Sequence, residues 1–436
     1  MRFLFCCILT CFFSAIHSQN LQLIDTVDFK KHEALKTYYE TKNEKFESEI
    51  KAKYSGKLRR EVQSLYSLYQ NEFYNFIDTK KILFLDNFQK HIDSLHGILK
   101  DHNDILQERD LKLLLSKDPT PNAFSVGDGT IVANIGLFSL LQNEQQIAAV
   151  LSHEIAHELL EHTSKGIENR AKINITVLSN NSNFSRQLKT EKFNKGAKSF
   201  ELLKSLLYDT SEKRRQNEVD ADSLGYLLFK NSKFEKSEYL NALKNLKKYD
   251  SVPEIVLDST IYAKIFNLPE QPFNPDWIKL EDFGQYNYEH YTEKIDSDSI
   301  KDHPEIEDRI LRLLETYSEL DENSPESQSP SKSYAELQQI ANKAFIENLF
   351  YIKEHGWSLF LILKRLEANN EDAYLKYWLA TNFYALHDAK KQYQLNRYVD
   401  RIAPKEQSQS FQQFLSFVWN LNLREMQAIA DYYSKH

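Results

Sequence analysis

The chain has 436 residues, 41% of them hydrophobic, enough for two or three domains and a sizeable core. Its formal net charge of -8, with 55 basic and 63 acidic side chains interspersed, argues against a nucleic-acid footprint and leaves no single-sign tail. All three cysteines (Cys6, Cys7, Cys11) lie near the N-terminus, so thiol catalysis and a Cys-ligated metal are excluded beyond that segment.

Residues 1–18 form the first expected element. Met1-Arg2 precedes a mostly apolar run from Phe3 to Ile16, and polar residues begin at His17. One positive residue ahead of an apolar core too short for a comfortable span predicts a secretory signal peptide, cleaved near Ser18 or Gln19. Export then places the protein in the periplasm or the envelope. The alternatives are an uncleaved N-terminal anchor or a secreted product. A lipidated Cys11 is a weaker reading, because Thr10 precedes it and the apolar run continues past it. No later run reaches eighteen apolar residues, so no transmembrane span is expected in the mature chain.

Only 10 glycines and 10 prolines punctuate the sequence, and long charged amphipathic stretches dominate it. The expectation is a mainly α fold with a small β-hairpin or sheet. Residues 20–110 read as an N-terminal helical region, with Leu65, Leu68, Tyr69, Phe73 and Phe76, then Phe84, Phe88 and Ile92, at helical spacing. Leu111–Leu115 is a short apolar run, and Asp118 to Asn122 is a turn signal. Residues 123–126 and Thr130–Asn134 flank Gly127-Asp128-Gly129, which predicts a hairpin. Asn143 with Gln146 predicts a capping box for a helix over 144–162. Residues 163–195 read as a polar loop or broken helix, and helices resume at 197–210 and 212–230. The proline-bearing stretch 251–303 reads as an irregular excursion. A Ser/Pro/Glu-rich linker at 320–333 closes a domain spanning 111–319, and a C-terminal helical domain follows at 334–436.

Inside the 144–162 helix stands His153-Glu154-Ile155-Ala156-His157. Histidines four apart leave a helix about 40° from one another, so both imidazoles share a face. That is the geometry for two of three protein ligands of a catalytic zinc, and Glu154 is placed to reach a water rather than the metal. The spacing that would supply a third histidine from the same stretch fails, because Leu160 and Thr163 stand where glycine and histidine would be needed. His162 is expected to face away from His157, as a surface histidine favouring the helix end. A second helix offers carboxylates instead. Glu218 and Asp222 stand four apart on one face, with Ala221 and Gly225 small enough to let that helix approach the Ala-rich zinc helix. Read alone, the pair is equally an acidic face in solvent.

Together these residues resemble the zinc endopeptidases of metallopeptidase family forty-eight, the HtpX- and BepA-like proteins. The resemblance runs over about residues 110–315. It rests on Asn122-Ala123-Phe124 with Gly129, Ile131, Gly136 and Leu137; on Leu151-Ser152-His153-Glu154-Ile155-Ala156-His157; on Glu218, Ala221 and Asp222; and on His303-Pro304 with Arg309-Ile310. It implies a zincin-type metalloprotease core flanked by the N-terminal helices and by a C-terminal domain that is TPR-like at best. It further implies one Zn2+ per chain held by His153, His157 and Glu218, with Glu154 as general base for the attacking water. Asp222 is expected to accept a hydrogen bond from a ligand histidine. The strand Thr130, Ile131, Val132, Ala133, Asn134 is expected to hold an extended substrate by strand addition. His303 is expected either to donate to the oxyanion or to act as a latent fourth ligand, and otherwise to be a turn histidine before Pro304.

The expected activity is an exported zinc-dependent endopeptidase acting on proteins or peptides in envelope quality control. The alternative is a chaperone-like envelope assembly factor with secondary or latent proteolysis, binding a protein partner through its C-terminal helices. A non-catalytic binding module is disfavoured by the intact ligand set.

Overall fold

In a computed structural model of the protein, residues 28–79, 81–177, 211–250, 255–280, 306–321, 328–403 and 407–435 are described. The expected signal peptide, the helix expected at 197–210 and His303 lie outside them.

Two long helices come first. The Asp28 carboxylate accepts from the Lys31 N–H and starts α1 (Phe29–Lys53), and α2 (Gly56–Asp78) follows directly. The spacing of Leu65, Tyr69, Phe73 and Phe76 gives α2 one apolar face, which buries with Leu35 and Tyr39 of α1 against Phe124 and Val132. The chain continues through β1 (Ile82–Leu83), α3 (Asp86–Asp101), β2 (Lys112–Ser116), β3 (Ala123–Ser125) and β4 (Thr130–Asn134). The hairpin forms where expected because Gly127 and Gly129 both take φ +85, a left-handed conformation that other residues resist.

The sheet order is β1-β2-β4-β3, with β2 parallel to β4 and both outer pairs antiparallel. This corrects one expectation. Thr130, Ile131, Val132, Ala133 and Asn134 form an interior strand, paired on both sides and buried throughout, so they offer no edge to a substrate. Among the described residues, the open edge on that side belongs to β3.

Beyond the sheet come α4 (Gly136–Leu140), α5 (Glu144–Leu159), α6 (His162–Val177), α7 (Ser211–Asn231) and α8 (Ser237–Asp250). The Asn143 side chain accepts from the N–H groups of Gln145 and Gln146. The Gln146 side chain accepts from Gln142 and donates to Glu238, rather than closing a box on Asn143. Eleven of the sixteen residues of α5 are buried, and the helix runs through the first core. It ends earlier than expected, because Glu161 adopts φ 57 and turns the chain into α6, a helix where a polar loop or broken helix was expected.

The last elements are α9 (Thr260–Phe266), α10 (Ile306–Thr316), α11 (Lys332–Tyr351), α12 (His355–Ala368), α13 (Ala373–Lys391), α14 (Gln409–Asn420) and α15 (Leu423–Tyr433). A second core unites α12–α15 with Leu257, Tyr262, Phe266 and Trp277. The stretch read as an irregular excursion therefore packs with the C-terminal helices, with the Trp277 ring beside Phe417 and its Nε1 donating to Glu425. The boundary expected at 320–333 does not separate the cores either. Tyr334, Leu337, Ala341 and Ala344 of α11 belong to the first core and Ile346 to the second. Gln328 and Ser331 donate backbone hydrogen bonds to Glu238 and Glu144, tying this segment to the ends of α8 and α5. Among the described residues, no helix is long and apolar enough to cross a membrane.

Candidate metal centre

Two helices supply the centre, and their contact depends on small residues. Ala221 of α7 is fully buried, and Gly225 lies so close to α5 that an added Cβ would stand 2.9 Å from the His153 Cα and 2.8 Å from the Tyr239 hydroxyl. That approach brings Glu218 to the face carrying His153 and His157. The two histidine Nε2 atoms are 3.1 Å apart. Glu218 places Oε2 at 3.4 Å from Nε2 of His153 and Oε1 at 3.5 Å from Nε2 of His157. All three side chains are buried, and among the described residues they form the one cluster whose ligand atoms lie within 4.8 Å of one another.

This cluster suits a tetrahedral metal. Ligands about 2.0–2.1 Å from zinc stand roughly 3.3 Å from one another, the tetrahedral edge that follows from those bond lengths. The two Nε2 atoms stand 3.1 Å apart, near that value, and each lies 3.4–3.5 Å from a different oxygen of the Glu218 carboxylate. Two imidazoles and a carboxylate are a donor set suited to zinc and leave one coordination position open. Glu154 is buried on the same helix, and its Oε2 has no hydrogen-bond partner among the described residues. An orphaned buried carboxylate oxygen is costly unless the site uses it.

Behind the triangle runs a chain of charge. Asp222 Oδ1 lies 3.0 Å from Nδ1 of His153. Arg309, reaching in from α10, grips Asp222 with Nε at 2.7 Å from Oδ2 and Nη2 at 2.6 Å from Oδ1, and its Nη1 stands 3.8 Å from Glu218. Burial pushes the Asp222 carboxyl up, but the charge and paired hydrogen bonds of Arg309 outweigh it and hold the group down to about 2. Burial and Arg309 push His153 down, while the hydrogen bonds to Asp222 and Glu218 prevail, so by the protein groups alone it is raised to about 9. The sequence motif contained Arg309, but spacing alone gave it no role. Its partner Asp222 lies 87 positions away in the chain.

Two further residues went unrecognised. Glu158, one residue past His157, accepts from the Ser125 hydroxyl and from the N–H groups of Gly127 at 3.1 Å and Gly129 at 2.6 Å. One carboxylate of α5 thereby ties the metal helix to the β3–β4 turn. Burial raises its pKa against the pull of those donors. His162, expected on the surface, is buried with Nδ1 2.9 Å from Nδ1 of His157. The expectation assumed one continuous helix; the left-handed Glu161 breaks it and swings His162 back beneath His157.

The chain also shares sequence with known proteins. A protein of Vibrio cholerae serotype O1 named as a beta-barrel assembly-enhancing protease is 31% identical over 84 residues, 19% of this chain and 17% of that protein. The mitochondrial metalloendopeptidase OMA1 of Schizosaccharomyces pombe is 40% identical over 60 residues, 13% of this chain and 18% of that protein. The chain thus matches less than a fifth of the length of either relative. The family profile reaches further. Described as Peptidase family M48, it matches residues 94–317, which enclose α5, α7, α10 and every side chain of the centre. Because that match covers just over half of the 436 residues, the chain belongs to peptidase family M48.

Proposed function

We propose that this protein is a zinc-dependent endopeptidase, with His153, His157 and Glu218 as the metal ligands and Glu154 as the general base. The observation that carries the reading is the buried cluster of His153, His157 and Glu218, whose ligand atoms lie within 4.8 Å of one another, beside a Glu154 Oε2 that has no partner among the described residues. Bound zinc supplies acidity to a water and polarises the scissile carbonyl. Glu154 takes the proton of the attacking water at its Oε2 and delivers it to the departing amine nitrogen. Asp222 holds the His153 ring through Nδ1, and Arg309 keeps Asp222 ionised and in place.

An extended substrate would bind by strand addition on β3 rather than β4. Val126 donates to Thr130 and Asn134 to Asn122, so by alternation the backbones of Ala123 and Ser125 face the open edge. The Glu158 tie fixes that edge relative to the ligand helix. Export and a role in envelope protein quality control are supported by the signal-like segment 1–18 and by the name of the Vibrio relative. His303 remains a proposed site residue, as oxyanion donor or latent fourth ligand.

A second reading is a chaperone-like assembly factor. It draws on a cleft of about 790 Å³ in the C-terminal helices, lined by Lys390, Lys391, Arg401, Arg424 and Trp419, a surface for a protein partner. Metal analysis together with cleavage of an unstructured protein by wild type and Glu154→Gln separates the two. A zinc-loaded wild type that cleaves, and a zinc-loaded variant that does not, supports the peptidase. Equal and negligible cleavage by both supports the assembly factor.

A further inference from the structure

Each metal-facing histidine has two ring nitrogens, and the structure accounts for both nitrogens of both rings. His153 turns Nε2 to the triangle and Nδ1 to the Asp222 carboxylate. His157 turns Nε2 to the triangle and Nδ1 to His162 Nδ1, at 2.9 Å. The His157 and His162 rings meet edge-on, with centroids 4.9 Å apart and planes at 73°, and His162 is 5% exposed. Two features hold His162 there. Glu161 takes φ 57 between α5 and α6, and His162 is the first residue of α6. A non-glycine residue in the left-handed region is uncommon, and this one stands where the turn delivers His162 to its partner.

The proton count follows from the geometry. An imidazole that binds a metal through Nε2 is neutral and carries its one proton on Nδ1. His157 is therefore the donor of the 2.9 Å bond, and His162 Nδ1 must present a lone pair, leaving the His162 proton on Nε2. We infer that His162 is a positioning residue of the metal centre, fixing the tautomer and ring orientation of His157 as Asp222 does for His153. The inference rests on His157 being a metal ligand. It implies a centre supported unequally: an anionic acceptor behind one histidine and a neutral one behind the other.

The test is a zinc titration of the full chain against a competing chelator, with no substrate present. Wild type, His162→Leu and His162→Asn are compared, and His157→Ala serves as control. Leucine fills space without an acceptor, whereas the asparagine Oδ1 stands close to where Nδ1 was. The expected result is zinc affinity weakened about 10- to 100-fold in His162→Leu, the usual scale for a group behind a ligand histidine. His162→Asn should recover most of that loss. Nitrogen-15 imidazole spectra of the zinc-loaded wild type should show His157 protonated at Nδ1 and His162 at Nε2. Wild-type affinity in His162→Leu overturns the inference, as does equal weakening in both variants, which would reduce His162 to packing. The opposite tautomer at His162 also overturns it. A wild type that binds zinc no more tightly than His157→Ala removes instead the metal-centre reading on which the inference stands. If His162→Leu does not fold, the asparagine variant and the tautomer spectra still decide.

Discussion

Replacing Gly225 with alanine tests whether helix contact sets the metal centre. The added Cβ would lie 2.9 Å from the His153 Cα and 3.1 Å from its N, both backbone atoms, and 2.8 Å from the hydroxyl of the buried Tyr239. Contacts tighter than 3.4 Å are rare for a real Cβ, so α7 must retreat from α5 by about 0.5 Å to bring the 2.9 Å contact to that distance. Metal–ligand distances tolerate only about 0.2 Å. Glu218 rides on α7 and the histidines on α5, so the retreat exceeds what the triangle can absorb. Alanine gains about 1 kcal/mol in helix propensity. Overpacking costs about 1–3 kcal/mol, so the net effect on stability is a loss of up to about 2 kcal/mol. The expected outcome is zinc affinity reduced about 10-fold or more, together with a lower melting temperature in chelator. A Gly225→Ala protein that binds zinc like wild type and melts no lower would refute the argument that this approach positions Glu218.

Glu154→Gln should keep zinc and fold while hydrolysis of an unstructured protein falls about 10²- to 10⁴-fold, read by metal analysis and steady-state rates; near-normal turnover would end its role as base. Zinc affinity should rise with pH up to about 9, because the metal must displace the proton that Asp222 and Glu218 hold on His153. Since that pKa is raised from 6.5, the chelated protein should carry the opposite trend, with this stabilisation complete below pH 6.5 and lost as pH rises through about 9, as thermal melts at several pH values would reveal. Truncation after residue 330 should abolish cooperative melting, since it strips Tyr334, Leu337, Ala341 and Ala344 from the first core and the Tyr334 hydrogen bond from the Leu141 carbonyl; a soluble truncated chain that binds zinc would restore the domain boundary expected at 320–333.

Local chemistry explains what could be read from the sequence. The helices of the N-terminal region follow from apolar residues at helical spacing, and the hairpin follows from glycines at the two positions that need positive φ. The structure also brings His153, His157 and Glu218 together, since i,i+4 spacing and a small-residue helix face are local properties. What was missed depends on distant pairing. The place of β4 inside the sheet comes from its parallel register with β2, Lys112 opposite Thr130 through Ser116 opposite Asn134, which no strand pattern encodes. Trp277 joins the C-terminal core through Phe417 and Glu425, far beyond the linker that composition suggested. His162 was misplaced because the helix break falls on a glutamate at φ 57, a residue that carries no punctuation signal.

The chain has no cysteine after Cys11, so its two principal site helices share no covalent tie beyond the backbone. An occupied triangle would provide one. Joining His157 to Glu218 closes a loop of about 61 residues, and by the chain-entropy relation for a crosslink of that span the constraint amounts to about 4 kcal/mol. The metal would then act as a reversible staple as well as a reagent. The folded lifetime of the protein would follow the free zinc around it, and a metal-starved chain would become vulnerable to unfolding at the same moment that it lost its chemistry.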